Sequence, residues 1–372
     1  MKKAISLLLI VFFFISNLSP VLNSLETQES NTIYVDDDNA NGPWDGSIDH
    51  PFQFIQDGID HASDGDTVSV CNGMYNESLV INKTIDLMGE EKNSTIIEWD
   101  AKDEYLIQVF AKNLKISQLT MGDSGNHTSF GSGVYLNSSS NNITITNNII
   151  QNNNLHGIMI ESADDNIITE NIIIGNKEGI VLESSNNNTI TGNRIIGTTE
   201  SLSNGIMIDS SDSNTIGGNI ISGNEEAINI DNSHKNSING NNITGNDWGI
   251  EFFLSSKNKI LGNIISGCDD IAIGLYVSMG NKIIWNSICD NEQGIEVGES
   301  FGNSIKENNF VNSESIHAHT VNSYLNFWFH NYWDNWPGLI PKPILSEIVI
   351  VTRFYYWVQF DWHPACEPFD IG

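Results

Sequence analysis

Short apolar segments alternate with asparagine- and serine-rich segments through the middle of the chain, and the pattern recurs about every 22 to 26 residues. The segment from Gly179 to Ile195 contains one repeat: Gly-Ile-x-Leu, a serine-rich turn, an asparagine, a short aliphatic stretch, a second asparagine and another short stretch. Segments this short, with period-two alternation and no helical spacing, are strands that cannot bury a face alone. A period of this length predicts a solenoid in which each strand pairs in parallel with its copy one turn later.

Two asparagines recur at fixed offsets from the glycine of each repeat. The first set is Asn142, Asn166, Asn188, Asn214, Asn236, Asn258, Asn281 and Asn303. The second set is Asn147, Asn171, Asn193, Asn219, Asn241, Asn263, Asn286 and Asn308. Asparagine tolerates left-handed backbone conformations, and its amide can bond to the copies above and below. We therefore interpret both sets as structural ladders at the turns.

Isoleucines recur at matching positions and predict the core. One inward ladder consists of Ile158, Ile180, Ile206, Ile228 and Ile250. A second consists of Ile149, Ile173, Ile195, Ile221, Ile243, Ile265, Ile288 and Phe310. The sequence thus predicts an all-β parallel solenoid with an aliphatic interior.

The two ends of the chain depart from the repeat, as capping segments must. Residues 52–62 have apolar positions at helical spacing and predict a short helix over the open core, followed by strands near 67–70, 78–81 and 84–88. After Phe310 the asparagines become sparse and the chain becomes rich in aromatic residues. The sequence predicts an N-terminal cap with the first turns of the coil at 31–120, repeats at 121–312 and a C-terminal cap at 313–372.

Residues 1–24 have the layout of a secretory signal peptide: Lys2 and Lys3 precede an apolar run at 5–15 that is short for a membrane span. The alternative is an uncleaved N-terminal anchor. The apolar stretch at 344–360 contains Glu347 and Arg353, so we interpret it as strands. The sequence predicts an exported chain without a membrane span beyond the signal segment.

The formal net charge is −31, with 16 lysines and arginines, which argues against nucleic acid as a partner. Bound cations, a cationic ligand or simple solubility fit this charge better. Four scattered cysteines are too few for a disulfide scaffold.

Several stretches resemble a known family. Residues 33–38, 65–68 and 73–77 are similar to the opening of many secreted right-handed β-helix proteins, and the repeats resemble the NosD-type family. That family is named after a periplasmic protein that helps to mature a copper enzyme, and it belongs with carbohydrate-binding and sugar-hydrolase β-helices. The tail at 331–333 and 360–364 resembles archaeal surface proteins. The resemblance implies a right-handed, pectin-lyase-like parallel β-helix, and it adds a metal-handling accessory role as one alternative function.

Two outward columns follow from the repeat. Four residues after each glycine, or the alanine in its place, the later repeats carry acidic and then aromatic residues: Glu161, Glu183, Asp209, Asp231, Phe253 and Tyr276. Two residues earlier in each repeat lies a companion column: Tyr135, Met159, Val181, Met207, Asn229, Glu251, Gly274 and Glu296. Stacked carboxylates repel one another by on the order of 1 kcal/mol per pair in water, so solvent, cations or a ligand must screen them.

Aromatic faces beside carboxylates are typical of sugar recognition, and the six residues of the first column are the predicted ligand-binding residues. The other interpretation is a solvated acidic face. A catalytic alternative is a lyase or glycoside hydrolase that uses Glu161 with Glu183, or Asp209 with Asp231. No predicted loop is long enough to cover the column, so the sequence favours a non-catalytic surface module that binds polysaccharide or is purely structural.

Two metal hypotheses remain. Asp36, Asp38 and Asp45 lie in a segment dense in oxygen ligands and are candidate calcium ligands, with a solvated turn as the alternative. His317 and His319 are two residues apart, so on a regular strand they would share a face. No cluster of cysteine or methionine indicates a site for a soft metal.

Overall fold

The chain winds into a right-handed parallel β-helix in which three strands per turn stack on their copies in neighbouring turns. This computed structural model describes residues 30–98, 104–122, 131–197, 203–350 and 353–371. The predicted signal segment, residues 1–24, lies outside the described residues. The predicted fold class, an all-β pectin-lyase-like solenoid with a short N-terminal helix, is confirmed.

The strands stack into three parallel series. The front sheet contains Leu79–Ile81, Tyr105–Val109, Ser132–Leu136, His156–Glu161, Glu178–Glu183, Asn204–Asp209, Glu226–Asp231, Trp248–Phe253, Ile271–Tyr276, Gln293–Gly298, Ile316–Val321 and Lys342–Ile350. The side sheet contains Thr32–Val35, Thr67–Val70, Asp86–Gly89, Lys115–Ser117, Thr144–Thr146, Ile167–Thr169, Thr189–Thr191, Thr215–Gly217, Ser237–Asn239, Lys259–Leu261, Lys282–Ile284, Ser304–Lys306, Phe327–Phe329 and Arg353–Asp361. The back sheet contains Gly73–Asn76, Thr95–Glu98, Thr120–Gly122, Ile149–Gln151, Ile172–Ile174, Arg194–Ile196, Ile220–Ser222, Asn242–Thr244, Ile264–Ser266, Ser287–Cys289, Asn309–Val311 and Tyr332–Trp333.

The front-sheet isoleucine ladder is confirmed, because Ile158, Ile180, Ile206, Ile228 and Ile250 are fully buried and pair from turn to turn. The second ladder is confirmed from Ile173 onward. Its first member is wrong: Ile150, not Ile149, pairs with Ile173 and is buried.

The same one-residue error affects both asparagine sets in the turn that contains Gly133. Asn148, not Asn147, bonds to Asn171, and the first set begins at Asn166, which accepts from the backbone of Ile143 rather than continuing Asn142. The turn after this front strand is one residue longer than in later repeats, so a fixed offset from the glycine fails here. The doubled asparagine at 147–148 hides the insertion in the second set, and in the first set Ile143 occupies the ladder position after Asn142.

Each ladder asparagine bonds to the turns on both sides. The side-chain oxygen of Asn241 accepts from the backbone N–H of Asn219 at 2.9 Å, and its amide donates to the Ile216 carbonyl at 3.0 Å and to Asn263 at 2.9 Å. These bonds satisfy buried backbone groups at the corners of the coil. The expectation of a left-handed backbone is wrong for the ladder members themselves. The residue just before each one, such as Gly240, has the positive φ.

Two further ladders were not identified in the sequence analysis. At the corner after the front sheet, the backbone N–H of each buried serine donates to the hydroxyl of the serine one turn later. The members of this ladder are Ser185, Ser211, Ser233, Ser255, Ser278, Ser300 and Ser323. A third set of asparagines lies at the corner after the back sheet: Asn153, Asn176, Asn224, Asn246 and Asn291. Cys268 occupies an asparagine position in this third ladder, and its backbone N–H donates to Asn291 at 2.9 Å.

The predicted N-terminal helix is present as Ile55–His61, with Ile55 and Ile59 buried over the first turns. The Glu77 carboxylate accepts from the backbone N–H groups of Ile55 and Gln56, at 2.8 and 3.0 Å, which satisfies two of the helix's free donors. The coil therefore begins under a covered end.

At the other end, one more turn of the coil, from Ile316 to Trp333, lies inside the segment predicted as the C-terminal cap. Trp333 stacks on Phe310 with ring centroids 4.3 Å apart and closes the core. The second asparagine ladder ends on the buried Asp361 carboxylate, which accepts from Asn331 and from the Trp333 indole. The antiparallel pair Lys342–Ile350 and Arg353–Asp361 joins the front and side sheets.

All four cysteines are free thiols. No helix within the described ranges is both long and apolar enough to span a membrane.

Candidate functional site

The front sheet presents three outward columns, because its strands are twice as long as most strands of the other two sheets. The second position of each strand is glycine or alanine in most repeats. A Cβ atom on Gly179 would lie 2.4 Å from the Gly205 carbonyl oxygen, so a side chain at Gly179 would clash where these two turns approach closely. The residue before this position and those two and four residues after it project outward in fixed columns, and the isoleucine directly after it points into the core.

The predicted acidic-to-aromatic column is in register from turn to turn. Glu161 pairs with Glu183, then Asp209, Asp231, Phe253 and Tyr276 follow on successive strands. Glu183 and Phe253 are exposed, and the others are partly buried. Partial burial, followed by the charge of Asp209, raises the pKa of Asp231. The register is as predicted, and ligand binding by these residues stays a prediction.

A first concavity of about 410 Å³ lies over the turns from Tyr105 to Asp209. The Tyr135 hydroxyl donates to Glu161 at 2.5 Å, and its ring stacks on Tyr105 with centroids 4.4 Å apart. Burial, followed by the hydrogen bond to Glu161, raises the pKa of Tyr135. His156 lies between Ser132, 2.9 Å from its Nδ1, and Glu178, 3.1 Å from its Nε2.

A second concavity of about 510 Å³ lies further along the same sheet. Its lining includes the aromatic residues Trp248, Phe253 and Tyr276 and the carboxylates of Glu251 and Glu296. The centroids of the Trp248 and Tyr276 rings are 6.4 Å apart with their planes tilted by 59°. This arrangement offers apolar ring faces and hydrogen-bond acceptors together.

Two glycines make room for the Tyr276 ring. A Cβ atom on Gly274 would lie 2.8 Å from the Cε2 atom of this ring, and one on Gly298 would lie 2.9 Å from its Cδ1 atom. The ring therefore lies flat over the backbone of its own and the next strand. Burial, followed by the charge of Glu296, raises the pKa of the Tyr276 phenol.

The charges on the coil are segregated. The front strands from Leu79 to Val321 contain carboxylates and histidines and no lysine or arginine. The side strands contain four lysines: Lys115, Lys259, Lys282 and Lys306. The front face is therefore an acidic surface on which the two concavities lie.

The sequence analysis did not identify a third outward column, formed by the residue just before each glycine. Its members include Ser132, His156, Glu178, Glu226 and Trp248. Reading the residue just before each repeat's glycine would have found it. That position was overlooked because the repeat was counted from the glycine onward.

The three candidate calcium ligands have turn-forming contacts. Asp36 accepts from the backbone of Asp38 at 3.0 Å, and Asp45 accepts from the backbone of Ser47 at 2.9 Å. Hydrogen bonds from Ser47 lower the pKa of Asp45. Calcium binding by these residues stays an untested prediction.

The expectation that His317 and His319 share a face is wrong. His317 occupies the glycine position of its repeat, and its Nε2 lies 2.6 Å from Asp334 near Trp333. His319 lies in the companion column next to Glu296, and its ring nitrogens lie 3.8 Å from the carboxylates of Glu296 and Glu347. Across the described ranges, no three His, Cys, Asp or Glu side chains converge as a metal site requires. These side chains do not fit a copper site.

Comparison with known proteins agrees with this architecture. The family model described as periplasmic copper-binding protein (NosD) matches residues 59–267 and 197–338. No curated protein matches the sequence significantly.

Three solved structures show the same fold. The A-module of mannuronan C-5 epimerase AlgE6 from Azotobacter vinelandii superposes with a TM-score of 0.63 at 15% identity, covering 74% of this chain and 87% of the module. DFA-IIIase from Arthrobacter chlorophenolicus A6 without its lid gives 0.62 at 13% identity, covering 81% of this chain and 94% of the enzyme. The Dettilon tailspike protein gives 0.57 at 17% identity, covering 77% of this chain and 68% of the tailspike. At these identities the likeness shows the fold alone.

Proposed function

Since this chain belongs to the NosD family of parallel β-helix proteins, we propose that it is an exported envelope protein whose front sheet binds a polysaccharide. The periplasmic description of the family and the signal-like residues 1–24 support the location. The observation that carries the binding proposal is the presence of two concavities on one continuous sheet, each combining aromatic rings with carboxylates.

The spacing of the concavities favours a long, linear ligand. The turn of His156 and the turn of Trp248 are four strands apart in the front sheet. At about 4.8 Å per strand, this separation is roughly 19 Å. A chain of several sugar units extended along the coil axis reaches both concavities, whereas a monosaccharide fills only one.

The charge of the front face indicates the class of polysaccharide. Carboxylates such as Glu183, Asp209 and Glu251 line the path, and the described front strands from Leu79 to Val321 contain no lysine or arginine to pair with an anionic ligand. Each close pair of like charges costs on the order of 1 kcal/mol or more. The proposed ligand is therefore a neutral or amino-substituted polysaccharide rather than a polyuronate.

Affinity gel electrophoresis of the protein in gels containing mixed-linkage β-glucan, galactomannan, xylan, chitosan or alginate tests the proposal. We expect retardation by a neutral or amino-substituted polymer and none by alginate. The double substitution Phe253→Ala and Tyr276→Ala should abolish the retardation while far-ultraviolet circular dichroism stays unchanged, because both rings lie outside the core.

Phe301→Ala is the matched control. Phe301 is 43% exposed, as Phe253 is 44% exposed, yet it lies in the turn after a front strand and outside the second concavity. Equal loss of retardation in the control, or retention in the double variant, would show that the front sheet is not the binding surface. No retardation of the unsubstituted protein in any gel would favour a purely structural surface module.

A further inference from the structure

We propose that the C-terminal end of the coil binds the surface of a lipid bilayer that carries anionic headgroups. The binding surface consists of an aromatic patch, formed by Phe327, Phe329, Phe360 and Trp362, and of the lysines that lead to it along the side sheet. This inference goes beyond the proposed polysaccharide-binding function, which uses the front sheet and does not depend on it.

The aromatic patch lies on the outward face of the last two side strands. Its four members are exposed and flank Trp328 and Asp361, two buried residues that pair with each other in parallel. Because the neighbours of an inward residue in a strand point outward, the four rings share one face. The ring centroids of Phe360 and Trp362 are 5.2 Å apart, which agrees with this arrangement.

The end of the coil around this patch carries a large share of the exposed apolar surface. Among the described residues, nearly half of the exposed large hydrophobic side chains lie between Tyr324 and Trp362. A contiguous exposed apolar surface marks a site that binds a membrane or another molecule.

The antiparallel strand pair next to the patch extends beyond the core. Tyr355, Tyr356 and Trp357 are consecutive residues of the strand Arg353–Asp361, so their side chains alternate between its two faces. All three are nevertheless exposed, by 49%, 73% and 52%. A strand that is exposed on both faces has no core against it. Tyrosine and tryptophan are the residues that are enriched at the interface between a bilayer and water.

Lysines occupy outward positions of the side strands that precede the patch. Lys306 pairs directly with Phe329. Lys259 and Lys282 lie in the neighbouring column, which ends at Phe327. The outward positions of these three described strands contain no carboxylate. Across the described part of the chain none of these lysines forms an ion pair, so their ammonium groups are available to an anion.

The combination favours a bilayer over a sugar polymer. Sugar sites combine apolar ring faces with hydrogen-bonding groups, as the second concavity does. Three of the four patch members are phenylalanine, which has no such group, and no patch member lines either concavity. Exposed rings beside lysines match a bilayer surface, where the rings enter the interface and the ammonium groups attract anionic headgroups.

The net charge of −31 is compatible with this contact. The carboxylates of the front sheet lie on another face of the coil, whereas the lysines adjoin the patch. At physiological ionic strength, charges more than about 8 Å from the bilayer are largely screened. The lysines next to the patch therefore dominate the local interaction.

Co-sedimentation with vesicles tests the proposal. The chain is produced from residue 25 onward, because the apolar run of the predicted signal segment would itself bind lipid and the described strands begin after it. It is mixed with vesicles of phosphatidylcholine alone or of equal parts phosphatidylcholine and phosphatidylglycerol. We expect binding to the mixed vesicles and weaker binding to phosphatidylcholine alone.

Two double substitutions separate the rings from the charges. Phe327→Ala with Trp362→Ala should lower the partition coefficient about tenfold or more. Lys282→Gln with Lys306→Gln should lower it about fivefold for each lysine, and only with the mixed vesicles. Far-ultraviolet circular dichroism should stay unchanged in both variants, because these side chains lie outside the core.

Matched controls lie near the other end of the same coil. Lys115→Gln removes an exposed lysine from the same outward column as Lys259, several turns earlier. Trp44→Ala with Phe54→Ala removes two exposed aromatic side chains near the N-terminal helix. Both controls should leave the partition coefficient unchanged.

Absence of binding to both kinds of vesicle, or an equal loss in the controls and the patch variants, overturns the inference. Light scattering after size-exclusion chromatography detects the competing occupant, a second copy of the chain. A dimer that Phe327→Ala with Trp362→Ala dissociates would make the patch a subunit interface and also overturn the inference.

Gel electrophoresis separates this inference from the polysaccharide proposal. Retardation by alginate that Lys282→Gln with Lys306→Gln removes would assign the lysines to an anionic polymer instead of a bilayer, and it would overturn the inference. Retardation by a neutral polymer without vesicle binding leaves the front-sheet proposal intact and refutes this one. Vesicle binding without retardation supports this inference alone.

Discussion

The interior of the coil and its front face differ in how regularly their residues recur along the axis. Inside, isoleucine and asparagine recur at nearly every turn, as at Ile228 and Ile250 or Asn241 and Asn263. Outside, one column changes from glutamate and aspartate to phenylalanine and tyrosine within a few turns.

The difference follows from what each side chain contacts. An interior side chain bonds to or packs on its own copy one turn away, so a change at one turn leaves a partner unsatisfied in the next. An outward side chain contacts mainly solvent and its column neighbours. Residues that recur at every turn are therefore those that the coil needs for packing and hydrogen bonding. Outward positions whose residues change from turn to turn form the surface that is free to acquire a function.

Breaking an interior ladder should have the largest effect. Asn241→Ala removes the acceptor of the Asn219 backbone and the donor to the Ile216 carbonyl, both buried. Each unsatisfied group costs about 1 to 3 kcal/mol, so we expect a loss of about 3 kcal/mol in the free energy of unfolding, measured by thermal and denaturant unfolding. The adjacent, exposed Asn242→Ala should cost under about 0.5 kcal/mol. Equal effects would contradict the structural role of the ladder.

Substituting Glu251 on the front face should increase the free energy of unfolding rather than decrease it. The folded state raises the pKa of Glu251 from 4.5 to about 7, so its stabilising contribution is complete below the unfolded pKa and is lost as the pH rises through the folded value. Glu251→Gln should therefore be more stable than the unsubstituted chain near pH 8, by about 1 kcal/mol after allowance for solvent screening, and equal near pH 4. Unfolding midpoints across this pH range measure the effect. A constant difference would show that burial of Glu251 is not coupled to its ionisation.

The smallest effect should come from repairing a ladder. Cys268 interrupts the third asparagine ladder, and its thiol is a poor replacement for an amide oxygen. Cys268→Asn should supply an acceptor to Asn246 and raise stability by up to about 1 kcal/mol. Cys268→Ala is the control and should not stabilise the protein, because it adds no acceptor. A destabilised asparagine variant would mean that this corner has no room for the amide.

The sequence predicted the fold in detail where the repeat is regular. The ladders from Asn166 and Ile158 onward, the helix at Ile55–His61 and the register from Glu161 to Tyr276 follow from spacing alone. It failed in the turn that contains Gly133, where a one-residue insertion displaces the asparagines and Ile149. The doubled asparagine at 147–148 fits two registers equally well in the sequence, and only stacking on the next turn distinguishes them.

The candidate site was predicted only in part. Glu251 and Glu296 were recognised as column members, but nothing in their spacing indicated that the Tyr276 ring lies over the glycine between them. The column that precedes each glycine, which contains His156 and Trp248, was not identified from the sequence. His317 and His319 looked equivalent in sequence and have different partners, because His317 replaces a glycine at the close approach between turns.

The sequence by itself determined the coil, since periodic isoleucines and asparagines satisfy burial and hydrogen bonding only when each turn stacks on its copy. It also determined the two outward columns counted from each glycine, because those positions alternate with buried ones, but it did not determine the column before the glycine or the directions of His317 and His319. Only the tertiary structure decided which outward side chains meet, how deeply Glu251 is buried and which partner His319 contacts. Those properties depend on neighbours from other turns, and the position of a neighbour is set by packing across turns that no single repeat encodes.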